Sequence, residues 1–183
     1  MGRISEITQR DQVPEDQRHH YDSIAASRGA IGAPYYYLLH TPDLAARTAH
    51  LVGYSRFESD FPVELKELAI CAIAREMDCL YEWAAHEGDA LKAGVRDEAV
   101  LAIKDGKAPQ GLTEGESQVV RYVQEILRPP HRVSDPTFTA LQGRLGDAGM
   151  AELTGIIGAY TALACSLNAF DVQTPSGRPV LPT

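Results

Sequence analysis

Cys79, Glu82 and His86 stand at steps of three and four residues in the run CLYEWAAH. On an α-helix that spacing brings all three side chains to one face. A thiol, a carboxylate and an imidazole so placed are groups that transfer protons near neutral pH. Their neighbours Trp83, Ala84, Ala85 and Ala90 offer little polar surface. Ionisable groups among apolar ones cost free energy unless they are paired. Glu82 and His86, one helical turn apart, can pair, and a carboxylate beside an imidazole orients the ring and favours its charged form. The plainer alternative is a solvated Glu–His pair on a helix surface, against which the apolar neighbours argue.

Glu67 lies fifteen residues before Glu82. If the chain turns back near Met77-Asp78, both positions lie at comparable distance from the bend and can face each other. Two carboxylates and a histidine would then share one pocket, where like charges push one carboxyl towards its neutral form. Equally, Glu67 could serve only to complement a helix N-terminus. Cys79 at the start of a helix has a position that can activate a thiol, or it packs as a small hydrophobe. Cys71 and Cys165 stand in apolar runs and read as core. Arg75 either pairs with Glu76 or Asp78 on a surface or points inward as counter-charge for a substrate carboxylate. His19, His20, His40, His50 and His131 have no partner pattern. Glu67, Glu82 and His86 could supply three metal ligands, but the H-E-x-x-H and E-x-x-H spacings are missing, and no metal is expected. No phosphate loop, nucleophile elbow or dinucleotide fingerprint is present.

The elements that must carry these groups are helices. A helix is expected from Pro14 to Ser27, stopped at Arg28-Gly29, followed by a Gly-rich connection into the cluster Tyr35, Tyr36 and Tyr37. Thr41-Pro42-Asp43 starts a helix through about Phe57, and Phe61-Pro62 starts the next, to about Met77. The motif helix then runs from about Leu80 to Gly94, and a short helix covers Arg96 to Lys104. Thr113 with Glu116 three residues on reads as a capping box. Pro129-Pro130 ends that helix, Ser134-Asp135-Pro136 opens another through Leu145-Gly146, and the last covers about Ala148 to Phe170. A Pro- and Gly-rich tail, 171–183, is expected to lie on a surface or a neighbour. Alternating strands are absent, so the expected class is all-α, one domain over 1–183 with 1–13 as an extension. Internal copies are not detectable.

The bulk properties narrow the partners. With 183 residues, 44% hydrophobic and 23% charged, the chain can bury a full core. A net charge of −8 argues against nucleic acid and against anionic membranes. The longest apolar stretch, Leu153 to Phe170, is broken by Gly155, Gly158, Ser166 and Asn168, and reads as a buried helix rather than a span. No secretory h-region is visible, and three cysteines without pairing pattern fit a reducing compartment, so a cytoplasmic location is expected.

The run ELAICAIAREMDCLYEWAAHEGDALKAGV (67–95), with TPDLA (41–45) and ELTGIIGAYTALACSLNAF (152–170), resembles the carboxymuconolactone decarboxylase family, which belongs to the alkylhydroperoxidase D-like superfamily. In the peroxidase branch of that superfamily a glutamate precedes a C-x-x-C-x-x-x-H helix. Glu67, Cys79 and His86 match it, while Glu82 replaces the second cysteine and Tyr81 stands before it. The resemblance then implies that the redox dithiol is gone and that peroxidase activity by the usual route is not expected. The Y-E-W-x-x-H version looks like the decarboxylase-like branch. What that implies is an all-helical protein of about eight helices, assembled as a trimer or hexamer, with a dimer also possible, working without cofactor on a small organic acid or lactone.

The leading expectation is therefore acid–base catalysis (decarboxylation, isomerisation or lactone chemistry) by Glu82, His86, Glu67 and Cys79. Arg75, Tyr81 and Trp83, with Tyr36 and His40 from the longer N-terminal part, are the expected substrate-binding residues. Two alternatives stand: an antioxidant protein using Cys79 through a sulfenic acid, and a non-catalytic small-ligand-binding oligomer.

Overall fold

A computed structural model describes residues 2–178 and 180–182. Among them the chain is helical, with eight α-helices and no strand: α1 Arg18–Arg28, α2 Ala33–Leu38, α3 Pro42–Gly53, α4 Val63–Glu76, α5 Leu80–Lys92, α6 Asp97–Lys104, α7 Glu114–Leu127 and α8 Asp135–Ala169. The all-α expectation is met. Two compact units are present, one of residues 1–60 with 165–173 and one of 61–164 with 174–183.

The first unit is built on α1, α2 and α3. Ile7, Val13, Ile24, Ile31, Tyr35, Leu39, Ala45 and Ala49 form its core, with Tyr36 packed half-buried against it. The segment expected as a Gly-rich connection contains a helix, because Pro34 in its first turn presets the backbone torsion and Tyr35 and Tyr37 gain burial. The first predicted helix begins later than expected: Glu15–Gln17 is a 3₁₀ turn, and α-helical geometry starts at Arg18. Helix α3 ends at Gly53 and continues as a π-helical turn, Tyr54–Glu58. Tyr37 stacks on Phe170 at 6.0 Å between ring centroids, and its hydroxyl donates to Glu6 at 2.7 Å.

In the second unit α4 is the central element. Every residue from Leu65 to Ala74 is buried, the signature of a helix surrounded by others, and it packs against α5, α6 and α7. It stops where Asp78 takes a left-handed conformation, φ 45, one that aspartate tolerates better than most residues. The Cys79 N–H then bonds the Ala74 carbonyl at 2.8 Å. That turn folds α5 back along α4 and brings their faces together. The expected capping box opens α7: the Thr113 hydroxyl accepts from the Glu116 N–H, and the Glu116 carboxylate accepts from the Thr113 N–H at 2.7 Å.

Helix α8 joins the two helices expected around Gly146, where a non-helical φ of 67 and ψ of 176 break its run. That torsion pair is open in practice only to glycine. Taken as a whole, Asp135–Ala169 is long and apolar enough to cross a membrane by length and composition, and half of its most apolar window is buried inside the protein.

Candidate functional site

Glu67 on α4 and Glu82 and His86 on α5 all lie in the second unit and are buried, at 6%, 4% and 2% exposure. The hairpin at Asp78 is what joins them. His86 Nδ1 lies 2.8 Å from Glu67 Oε2, and His86 Nε2 lies 3.4 Å from Glu82 Oε2. The imidazole is thus held between two carboxylates, one on each ring nitrogen. An ionised carboxylate only accepts, so an ionised Glu67 takes its hydrogen bond from Nδ1–H, which leaves Nε2 turned towards Glu82.

Tyr160 of α8 completes the surroundings. Its ring meets His86 edge-on, 5.3 Å between centroids and 86° between planes. Sequence reasoning did not single it out, although a polar-tipped aromatic inside the apolar run ELTGIIGAYTALACSLNAF was the available signal. Trp83, the only tryptophan, is fully buried beside Glu82. The Lys104 ammonium lies 5.9 Å from its ring centroid and 3.0 Å from Glu87 Oε1, so a cation is held against the aromatic face.

The other predicted residues are dispersed. Cys79 is the N-cap of α5, fully buried and outside any disulfide. Cys71, one turn beyond Glu67 on α4, is buried as well. Burial, and then the Glu67 charge, push its thiol far above the ordinary range, so it is inert as a nucleophile. Tyr81 is half-buried and lines a small cavity of about 80 Å³ with Ala84, Ala85, Pro175 and Arg178 of the tail. Arg75 pairs with Asp78, as one of the two readings of the sequence held, and lines a different cavity from the one beside Tyr81. Tyr36 and His40 belong to the first unit. Tyr36 packs on its core, and exposed His40 places Nε2 2.9 Å from the Ser5 carbonyl.

The residues present do not form a metal-binding group: among the described residues no three His, Cys, Asp or Glu side chains have the geometry to hold an ion. What the arrangement can do is move a proton. Glu67 is placed to orient the imidazole, and Nε2 faces Glu82 at 3.4 Å, the arrangement that a proton exchange between them would use.

Residues 42–125 match the model of the carboxymuconolactone decarboxylase family. No curated protein matches the sequence. Several solved structures share the fold. An alkylhydroperoxidase AhpD core from Ralstonia eutropha JMP134, described as an uncharacterized peroxidase-related protein, superposes with a TM-score of 0.76 at 14% identity, covering 96% of this chain and 93% of that one. The debrominase Bmp8 superposes at 0.73 and 18% identity without ligand, covering 94% and 92%. A Cys-to-Ala variant of it, in complex with 2,3,4-tribromopyrrole, gives 0.73 and 17%, covering 96% and 95%. A protein of unknown function from Agrobacterium tumefaciens, a putative AhpD antioxidant defence protein, gives 0.65 and 16%, covering 76% and 95%.

Proposed function

We propose a cofactor-independent acid–base enzyme acting on a small carboxylic acid or lactone, from the premise that residues 42–125 match the carboxymuconolactone decarboxylase family model and that the fold is shared with AhpD-like proteins. The observation that carries the reading is the buried His86 held between Glu67 at 2.8 Å and Glu82 at 3.4 Å. In a decarboxylation, the electrons of the breaking C–C bond pass into a conjugated carbonyl or lactone as CO₂ leaves. The carbon that lost CO₂ then takes a proton. Glu82 in its carboxyl form delivers it, His86 Nε2–H restores the proton to Glu82, and solvent recharges the imidazole. Glu67 holds the ring in the orientation this needs. Isomerisation uses the same groups to take a proton from one carbon and return it to another, and eliminative lactone opening uses them to take a proton from carbon as the ring C–O bond breaks and its oxygen leaves as a carboxylate.

The Glu in place of a sulfur nucleophile is what separates this reading from a thiol one. The fold neighbours include peroxidase-related and debrominase proteins, but at 14–18% identity they speak for the fold alone. Supporting the acid–base reading, Cys79 is the N-cap of α5, and position 82, where the peroxidase branch carries its second cysteine, is a glutamate.

The test is turnover across a panel of small carboxylic acids and unsaturated lactones, followed by product analysis. Glu82→Gln and His86→Ala should each lower the rate by about 10²-fold or more, the usual range for losing a general acid or base. Circular dichroism confirms that each variant is folded. No turnover in the wild type across the panel, or unchanged rates in both variants, contradicts the proposal.

A further inference from the structure

The geometry points to a second ligand site in the same unit, a pocket for a small monocarboxylate anchored by Arg75. This inference does not rest on the proton-transfer reading. Arg75 lines a cavity of about 280 Å³ bounded by α4, α6, the connection after α6, and α7, and neither Glu82 nor His86 lines it. Ala72, Ile103 and Val120 give it an apolar floor, each no more than 2% exposed. Arg75, Gln124 and Arg128 supply the polar wall.

Two observations define what fits. Arg75 spends Nη1 on Asp78, and its Nε is buried with no hydrogen-bond partner. A buried N–H without an acceptor is destabilising, and an incoming acceptor would relieve that cost. Beside that edge the chain places Gly106 at φ +68, where a Cβ would lie 3.5 Å from Nη2 and 3.8 Å from Nε. A side chain there would crowd the Nε–Nη2 edge, the pair of parallel donors that matches a carboxylate.

The surrounding charges select the ligand further. Glu76 is taken up by Arg128, through contacts of 2.5 and 2.6 Å, and by Gln124 at 3.2 Å. Asp78 is 78% exposed and therefore screened by water. An anion in the cavity thus meets the Arg75 charge with little competition from inside. The two nearby carboxylates still disfavour a dianion. The volume falls below the usual range for drug-sized ligands, about 300–1,000 Å³. A single carboxylate on a short hydrocarbon or aromatic body meets all of these conditions.

Benzoate is the probe, titrated into the full-length protein by calorimetry. Wild type should bind it, with benzamide and inorganic phosphate about tenfold weaker or worse. Arg75→Gln should weaken benzoate about tenfold or more, the loss expected for a charged hydrogen bond. Ala72→Leu, which fills the floor and leaves every charge in place, should abolish binding. Glu82→Gln should leave it unchanged. Thermal melts establish that the variants are folded. Absence of binding to wild type, equal affinity in Arg75→Gln and Ala72→Leu, phosphate as tight as benzoate, or a loss confined to Glu82→Gln would each overturn the assignment.

Discussion

His86 Nδ1 meets Glu67 Oε2 at 2.8 Å across nineteen residues and two helices, with both side chains buried. The contact exists because the left-handed Asp78 reverses the chain between α4 and α5. It serves stability as well as orientation. Removing one member of a buried hydrogen-bonded pair strands the other and costs about 1–3 kcal/mol, more where the stranded group is charged. His86→Ala, which strands two carboxylates at once, should lie within that range when measured by urea unfolding at neutral pH. A loss below about 1 kcal/mol would show that the trio is not held as a paired set.

The α6–α7 connection carries a separate pH dependence. Burial pushes the Glu116 carboxyl up, but the Arg96 fork at 3.0 and 2.6 Å, with the Thr113 N–H and hydroxyl, outweighs it and holds Glu116 below its ordinary 4.5. A carboxyl lowered in the folded state stabilises fully above the unfolded value, and that contribution disappears as pH falls through the folded one. Glu116→Gln should therefore be less stable than wild type by about 2 kcal/mol at pH 7, the scale of a charged hydrogen bond and a helix cap together. The gap should narrow steadily below about pH 4.5 as wild-type Glu116 protonates. A gap independent of pH would contradict the ion pair.

Cysteine accessibility gives a third check. Cys71 and Cys79 are buried and Cys165 is exposed. Brief iodoacetamide treatment of the native protein at pH 8 should alkylate Cys165 alone, and denaturant should release the other two. Peroxide followed by a sulfenic-acid trap should leave Cys79 unlabelled, because its sulfur has no access to solvent. Peroxide-dependent labelling at Cys79 that is absent in Cys79→Ser would favour the thiol chemistry instead.

Much of this was legible in the chain. Capping residues and Gly/Pro stops are local signals, so α4, α5, α6 and the Thr113–Glu116 box appear near their expected bounds. The Glu82–His86 contact follows from i, i+4 geometry alone. Glu67 was ambiguous, since facing Glu82 across a hairpin depends on the torsions of Asp78, which no spacing rule dictates. Helix α2 was hidden by its flanking glycines and short length, because its stability comes from burying Tyr35 and Tyr37. Tyr160 came from a helix distant in sequence. Arg75 had two readings, and only side-chain packing chose the Asp78 pair together with a cavity of its own.

The central claim, that Glu82 and His86 pass a proton to or from a carbon atom, is tested most directly in D₂O. A turned-over acid or lactone from the panel is followed by NMR for deuterium at the reacting carbon. Wild type should incorporate solvent deuterium there, and Glu82→Gln should slow incorporation by about 10²-fold or more. Product formed with no deuterium at carbon, or incorporation as fast in Glu82→Gln as in wild type, would contradict the account.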